Sequence, residues 1–328
     1  QQQLSDMQQK RDKEKAEGSF VTLEYARCHR DNITSRERTV PTPKHPGRHI
    51  IRDITLADLA KHFDWQLFDH VYGINKTQSK NTPEQREEER EKLHKKAQAC
   101  LDKIASDGTL HPCAVVGIFP AKRLANDNIE VLFSDTKEPA VFHCLRQVQK
   151  KELSETTKHE RYCSLCDYAD GWIGLFAVTV GCELHSEAER HRKNGDVESA
   201  TMVHALSLVL AECLSSAVHE RVRTTLWDTG AVSCIRPAFG YPSAPDHTEK
   251  LTAWDVLGVE EACGIRLTDT CMMVPEASCC GFILCAPNAH YFTLGTLSQE
   301  QRDDYIARKQ KTARFRNMDT GNFIPTPF

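Results

Sequence analysis

One stretch of this chain gathers groups able to hold a ligand: Ile235-Arg-Pro-Ala-Phe-Gly-Tyr-Pro-Ser-Ala-Pro-Asp-His-Thr-Glu-Lys250. Pro237, Pro242 and Pro245 stiffen it as a loop. The loop presents a guanidinium (Arg236), a glycine (Gly240) and an aromatic ring (Tyr241). Arginine grips a carboxylate through two parallel charge-assisted hydrogen bonds. Glycine lets a ligand approach the backbone closely. Tyrosine stacks on a flat ring or lies against a cation. The set suits a ligand with an amino-acid end and an aromatic end. The plainer reading is a turn-rich surface loop with Arg236 in an ordinary salt bridge, and residue types alone leave both open.

Other reactive patterns are weaker. Cys163-Ser-Leu-Cys166 is a lone CxxC, whereas a tetrahedral zinc site needs two further ligands. Cys182, His185 and His191 have no zinc-like spacing, so no metal site is expected. His219, beside Glu220 and Arg221, reads as structural rather than as a catalytic base, and no Ser-His-Asp order or nucleophile elbow suggests hydrolysis. No Gly-rich loop opens a helix after a strand, which argues against a nucleotide-phosphate site.

The elements that must position the loop follow from periodicity. A short helix is expected over 55–62, ending near Asp64-Trp65. A longer one covers 82–105, with Thr82 as cap, Pro83 at its first position and Gln85 completing a capping box. Apolar runs at 114–119, 129–133, 140–145 and 172–180 read as strands, the last fully buried because it hardly alternates. Residues 183–199 read as an exposed excursion. A strong helix spans 200–224, where Val203, Leu206, Leu210, Leu214 and Ala217 keep a helical repeat. A helix over 253–263 stops at Gly264, strands are expected at 270–274, 281–285 and 291–296, and a last helix starts at Ser298 with Gln301 in a second capping box. Residues 36–49, with three prolines, read as an extended connector. Strands grouped among helices without regular alternation predict an α+β fold over a doubly wound one: a single large domain with a largely antiparallel sheet flanked by helices. Residues 1–18 read as a linker or solvated helix, 19–310 as the domain and 311–328 as a mobile tail.

Bulk properties agree with a soluble globular domain: 328 residues, 40% hydrophobic and 27% charged, net charge −4. That charge argues against nucleic-acid and anionic-membrane partners, and no apolar run reaches the roughly 18 residues of a membrane span. The polar N-terminus is no secretory signal. Fourteen cysteines without a signal peptide read as reduced thiols, many inside apolar runs, and a cytoplasmic protein is the simplest account.

The loop at 235–250 closely resembles the R-P-A-P-G-Y-P…P-[DE]-H-T-E-K motif of the activation domain of cobalamin-dependent methionine synthases. Further blocks resemble the family in order: Val21-Thr-Leu-Glu-Tyr-Ala-Arg27, Phe63-Asp-Trp65, Leu101-Asp-Lys-Ile104, Val116-Gly-Ile-Phe-Pro-Ala-Lys-Arg123, His143-Cys-Leu-Arg-Gln147, Phe176-Ala-Val178, His219-Glu-Arg-Val-Arg223, Gly264-Ile-Arg-Leu-Thr268 and Asp304-Tyr-Ile-Ala-Arg-Lys309. The resemblance covers about residues 20 to 309. It departs at Phe239, where the family usually has proline, which either loosens the loop or adds a stacking surface. It departs also in a shorter segment between Trp227 and Arg236, and after Lys309.

The resemblance implies a domain that binds S-adenosylmethionine and presents its methyl group for reductive methylation of cob(II)alamin, in methionine biosynthesis. Cobalamin would be carried by the cobalamin-binding domain of methionine synthase. A flavodoxin-like protein or a diflavin methionine synthase reductase would supply the electron. The chain would then be a domain or subunit of a methyltransferase, inactive alone, because the Asp-x-His-x-x-Gly cobalamin signature is absent from it. The alternative is a docking module for a cobalamin protein or flavin reductase without retained ligand binding. No catalytic residue is assigned. The resemblance puts Arg236 on the methionyl carboxylate, Ala238, Gly240 and Tyr241 along the ligand, Asp64 and Glu212 as its acidic contacts, and Tyr291 and Phe292 beside it. The residues alone allow plainer roles: Asp64 capping or ending a helix, Glu212 on a wet helix face shared with Ser216 and His219, and one of Tyr291 and Phe292 in the core.

Overall fold

The apolar runs that hardly alternate become the centre of one sheet. The computed structural model describes residues 19–30, 40–74, 82–135, 137–151, 161–319 and 321. The strands are β1 (Gly47–Ile51), β2 (Cys113–Arg123), β3 (Asn128–Val131), β4 (Ala140–His143), β5 (Gly171–Thr179), β6 (Cys234–Ile235), β7 (Arg266–Leu267), β8 (Met273–Val274) and β9 (Ser278–Cys285). Seven form a sheet in the order β4-β3-β2-β5-β9-β6, with β1 paired to the first half of β2. Every pairing is antiparallel, and β7 and β8 form a separate ribbon. The helices are α1 (Leu23–Cys28), α2 (Leu56–Ala60), α3 (Trp65–Tyr72), α4 (Pro83–Asp107), α5 (Glu183–Lys193), α6 (Val197–Arg221), α7 (Glu249–Leu257), α8 (Val259–Cys263) and α9 (Gln299–Lys311). This is the expected α+β architecture of one domain, an antiparallel sheet flanked by helices.

Both faces of the sheet are covered, which explains the missing alternation. Phe176 and Val178 of β5 join Cys279 and Ile283 of β9 in a core under α6. Ile173, Leu175 and Ala177 point the other way, with Cys280, Phe282 and Leu284, toward α7 and α8. A fully buried large apolar side chain stabilises by roughly 1.5–3 kcal/mol, so covering the second face doubles what each central strand contributes. Helix α6 is buried along nearly its whole length, including Val203, Leu206, Leu210, Leu214 and Val218. With its π-helical continuation Val222–Leu226 it is long and apolar enough to cross a membrane, but its apolar surface is spent on the sheet and on α2–α5.

Several local expectations change. The excursion at 183–199 folds as α5 and the first turn of α6, because Leu184 and Ala188 give an otherwise charged segment a docking stripe. The segment 291–296 is irregular rather than a strand; among the described residues its backbone meets the loop only where the Leu294 N–H donates to Pro242 O (3.2 Å). Of the connector expected at 36–49, residues 36–39 lie outside the described residues, and its last residues open an edge strand, β1. The helix expected at 253–263 starts earlier, at Glu249, and breaks at Gly258. Past the expected boundary at 310, Phe315 lies in a 3-10 turn and is wholly buried, 5.7 Å from the His143 ring, so the packed body reaches at least residue 315. The expected linker 1–18 lies outside the described residues. The Thr82–Gln85 and Ser298–Gln301 capping boxes both form.

Candidate functional site

The loop after β6 crosses the end of the sheet because β9 makes room for it. Gly281 faces the backbone of Pro237: a Cβ there would meet Pro237 O at 2.2 Å. Phe239 N–H donates to Cys280 O (3.0 Å), and Phe282 N–H to Pro237 O (2.9 Å), so the loop is laced to β9. It then doubles back, with Gly240 N–H donating to Ala244 O (2.8 Å) and Ala244 N–H to Tyr241 O (2.9 Å). Gly240 sits at φ +94°, a left-handed conformation glycine tolerates, and a Cβ there would lie 2.2 Å from the His247 ring. Phe239 adds its stacking surface to the core and not to the cleft. It is buried, 4.8 Å from the Phe282 ring and 6.2 Å from the Phe142 ring.

A cleft of ≈ 400 Å³ opens between this loop, the middle of α6 and residues 291–293. Six of the eight expected site residues line it: Glu212, Arg236, Ala238, Tyr241, Tyr291 and Phe292. Gly240 forms the turn behind the wall. Asp64 is not in the wall. It is exposed and caps α3, accepting from Gln66 N–H (2.8 Å). Its charge is felt at the neighbouring helix: burial, then Glu212, and last Asp64, push the Cys213 thiol up to about 12.

Glu212 lines the cleft and stays partly solvated, its side chain 36% exposed. Its carboxylate accepts from the Tyr241 hydroxyl (3.2 Å) and lies 3.8 Å from Arg236 Nη1. Ser216, one turn on, accepts from Arg236 Nη2 at 3.4 Å. The guanidinium lies 5.6 Å over the Phe176 ring, and Arg236 N–H donates to the Tyr291 hydroxyl (2.8 Å). Burial, and after it the Glu212 charge, push the Tyr241 hydroxyl well above its ordinary range, so it remains a donor. Both contacts of the Arg236 guanidinium are longer than a normal charge-assisted bond of roughly 2.7–2.9 Å, which leaves its fork available to a better-placed carboxylate. The cleft thus offers one cation, one anion and exposed rings at its mouth, with Tyr241 52% and Tyr291 61% exposed. Of Tyr291 and Phe292, Phe292 is the one that packs on the core.

Sequence reasoning did not assign Phe176 to the site: it stood out only within the block Phe176-Ala-Val178 of a buried strand, and no spacing places it beneath the guanidinium. Ser216 was visible only as a neighbour of Glu212 at helical spacing. Behind the site, Cys234 and Cys285 are antiparallel partners with Cα atoms 4.1 Å apart, which brings their sulfurs together. His219 Nε2 lies 3.4 Å from Cys234 Sγ; burial, then Arg236 and Arg223, push it down to about 4, so it is neutral at pH 7. Cys166 of the CxxC lies 3.6 Å from Arg146 in a buried network with Asp127 and Asp167, while Cys163 lies 3.8 Å from His290.

The second half of the loop does different work. Asp246 and Glu249 are buried and ion-paired to the buried Lys309 of α9, Glu249 at 2.8 Å. Glu249 also meets His143 Nδ1 (3.0 Å), and Tyr305 donates to Asp246 (2.8 Å). Burial alone would raise the Glu249 carboxyl, but Lys309 and His143 outweigh it and hold it below its usual range.

A sheet-bound cleft with a loosely held arginine, a facing carboxylate and rings at the mouth has the charge pattern complementary to a small zwitterionic molecule. Residues 55–310 match the family described as the activation domain of vitamin B12-dependent methionine synthase, and the chain belongs to that family. It is also similar to the crystal structure of the MetH reactivation domain bound to AdoHcy, with 32% identity and a TM-score of 0.76, covering 88% of this chain and 94% of that one.

Proposed function

We propose that this domain binds S-adenosylmethionine in the cleft and presents its methyl group to a cobalamin carried by another domain of methionine synthase. The observation that carries the reading is the Arg236 guanidinium, held at 3.4 and 3.8 Å from its neighbours beside a carboxylate that is itself only half-buried. In this reading Arg236 takes the methionyl carboxylate. Glu212 offers its charge to the ammonium and sulfonium, with Asp64 adding a second negative charge on the same flank. The Tyr241, Tyr291 and Phe292 rings bracket the adenosyl end, and Ala238 and the Gly240 turn shape the wall. When bound, S-adenosylmethionine supplies an electrophilic methyl group for the reductive methylation of cob(II)alamin, with the electron coming from a flavodoxin-like protein or diflavin reductase in the cytoplasm. The bound AdoHcy of the similar reactivation domain supports the ligand class.

Calorimetric titration with S-adenosylmethionine and S-adenosylhomocysteine, beside Arg236→Ala, tests it. Binding to the unaltered chain is expected, and the variant loses roughly 1.5–3 kcal/mol, the worth of a charge-assisted contact. No binding to the unaltered, folded chain would overturn the reading and leave a docking module.

A further inference from the structure

A second pair of reactive groups lies away from the cleft, on the α8 side of the sheet. Cys113 opens β2 and Cys263 closes α8, and their sulfurs are 3.2 Å apart. Cys113 is buried; Cys263 is partly exposed. Arg52, just beyond β1, donates to Ala262 O (2.7 Å), the same carbonyl that lies 3.3 Å from Cys113 Sγ. A guanidinium is therefore fixed beside two touching thiols.

Most other buried cysteines are inert by comparison. Burial pushes the thiols of Cys144, Cys166 and Cys280 up, and no cation outweighs it. At the pair, the contact with Cys263 pulls Cys113 down to about 6 against its burial, and Arg52 adds to the pull, while Cys263 is raised. The two sulfurs thus hold one proton less firmly than a lone thiol does, and the second more firmly. Neither takes part in the cleft or in the buried ion clusters.

We propose that Cys113 and Cys263 form a dithiol modification site that a small-molecule disulfide, such as glutathione disulfide, closes to an intrachain disulfide. The proton left in the pair passes from Cys263 to Cys113, and the partly exposed Cys263 thiolate attacks one sulfur of the small disulfide, whose S–S bond breaks and releases one thiolate that takes up a proton. The remaining protein thiol loses its proton to solvent and attacks the protein sulfur of the mixed disulfide, expelling the second small thiolate. Two protein thiols are oxidised and one disulfide is reduced to two thiols. The crosslink joins residues 150 apart in sequence.

The test equilibrates the purified chain with glutathione disulfide, alkylates free thiols, digests without reduction and maps crosslinks by mass spectrometry. A Cys113–Cys263 crosslink is expected. Cys113→Ser should trap glutathione on Cys263, and Arg52→Gln should slow closure at pH 7 roughly tenfold through a smaller thiolate fraction. Thermal melts of both variants check that they fold. The proposal is overturned if the unaltered chain keeps both thiols alkylatable, or if glutathione stays on Cys263 without closure. The experiment on the unaltered chain stands even where a variant fails to fold, and it is independent of S-adenosylmethionine binding.

Discussion

Residues 236–241 and 246–250 are the two ends of one stretch running from the loop after β6 into the start of α7, yet they meet opposite physical conditions. In the first half, Arg236 and Glu212 are 14% and 36% exposed and 3.8 Å apart. In the second, Lys309 and Glu249 are 0% and 4% exposed and 2.8 Å apart. A loosely held pair with one partly solvated member contributes little to folding and can exchange its partner for a ligand. A sealed pair is saturated and cannot give up a member without leaving a charge in the core. The loop therefore divides its labour. Its first half is arranged to bind, and its second half fastens α7 to α9, holding the first half in place.

The largest break in that contrast is Lys309→Ala. It leaves Asp246 and Glu249 buried without their cation, and the expected loss is about 3–5 kcal/mol of stability in urea unfolding. A loss below about 1 kcal/mol would mean that the cluster is far wetter than its burial implies. Ligand binding should weaken only as the folded fraction falls.

Next comes His219, which lies behind Arg236. Its folded pKa, about 4, is below the ordinary 6.5. The unfolded state then binds more protons between those values, so stability is full above 6.5 and lost as the pH falls toward 4. The full shift is worth roughly 3 kcal/mol, and partial solvent contact at His219 reduces it to about 2 kcal/mol. His219→Gln should flatten the melting temperature between pH 6.5 and 4.5 relative to the unaltered chain. An unchanged slope would place the acid sensitivity elsewhere.

Gly240→Ala tests the hinge between the two halves. The left-handed backbone and the His247 ring both oppose a Cβ, so a loss of about 1–2 kcal/mol in stability is expected. Affinity for S-adenosylmethionine should fall as well, because the turn carries Tyr241. A stable variant with undiminished affinity would show that the turn has room to move.

These environments explain what was legible in the sequence. The central strands and α6 were readable because burial on every side leaves uninterrupted apolar runs. The capping boxes were readable because their chemistry is local. Arg236 and Tyr241 stood out through the unusual proline-rich loop, and the family resemblance added Glu212, Tyr291 and Phe292. The division of the loop was not readable: Asp246, Glu249 and Lys309 have the same residue types as surface charges, and only the packing of α9 buries them. Residues 183–199 misled for the converse reason, since two docking residues among many charges give a weak periodic signal. Asp64 kept two meanings in sequence, and in the fold its carboxylate caps α3.

The smallest expected effect sharpens the comparison most. Arg236→Ala should change unfolding free energy by about 1 kcal/mol or less, well below Lys309→Ala, because its polar contacts are long and reach no sealed ion cluster. The reasons are local. Its hydrogen bond to Ser216 is long, its partner Glu212 retains both water and the Tyr241 hydroxyl, and the bond to Tyr291 comes from the backbone and survives truncation. The one packing loss is the guanidinium over Phe176. Urea unfolding and ligand titration on the same preparation separate the two halves of the loop: Lys309→Ala should move stability, and Arg236→Ala should move affinity. If Arg236→Ala were instead as destabilising as Lys309→Ala, Arg236 would be a structural clamp like the buried lysine, and the cleft would lose its anchor for a carboxylate.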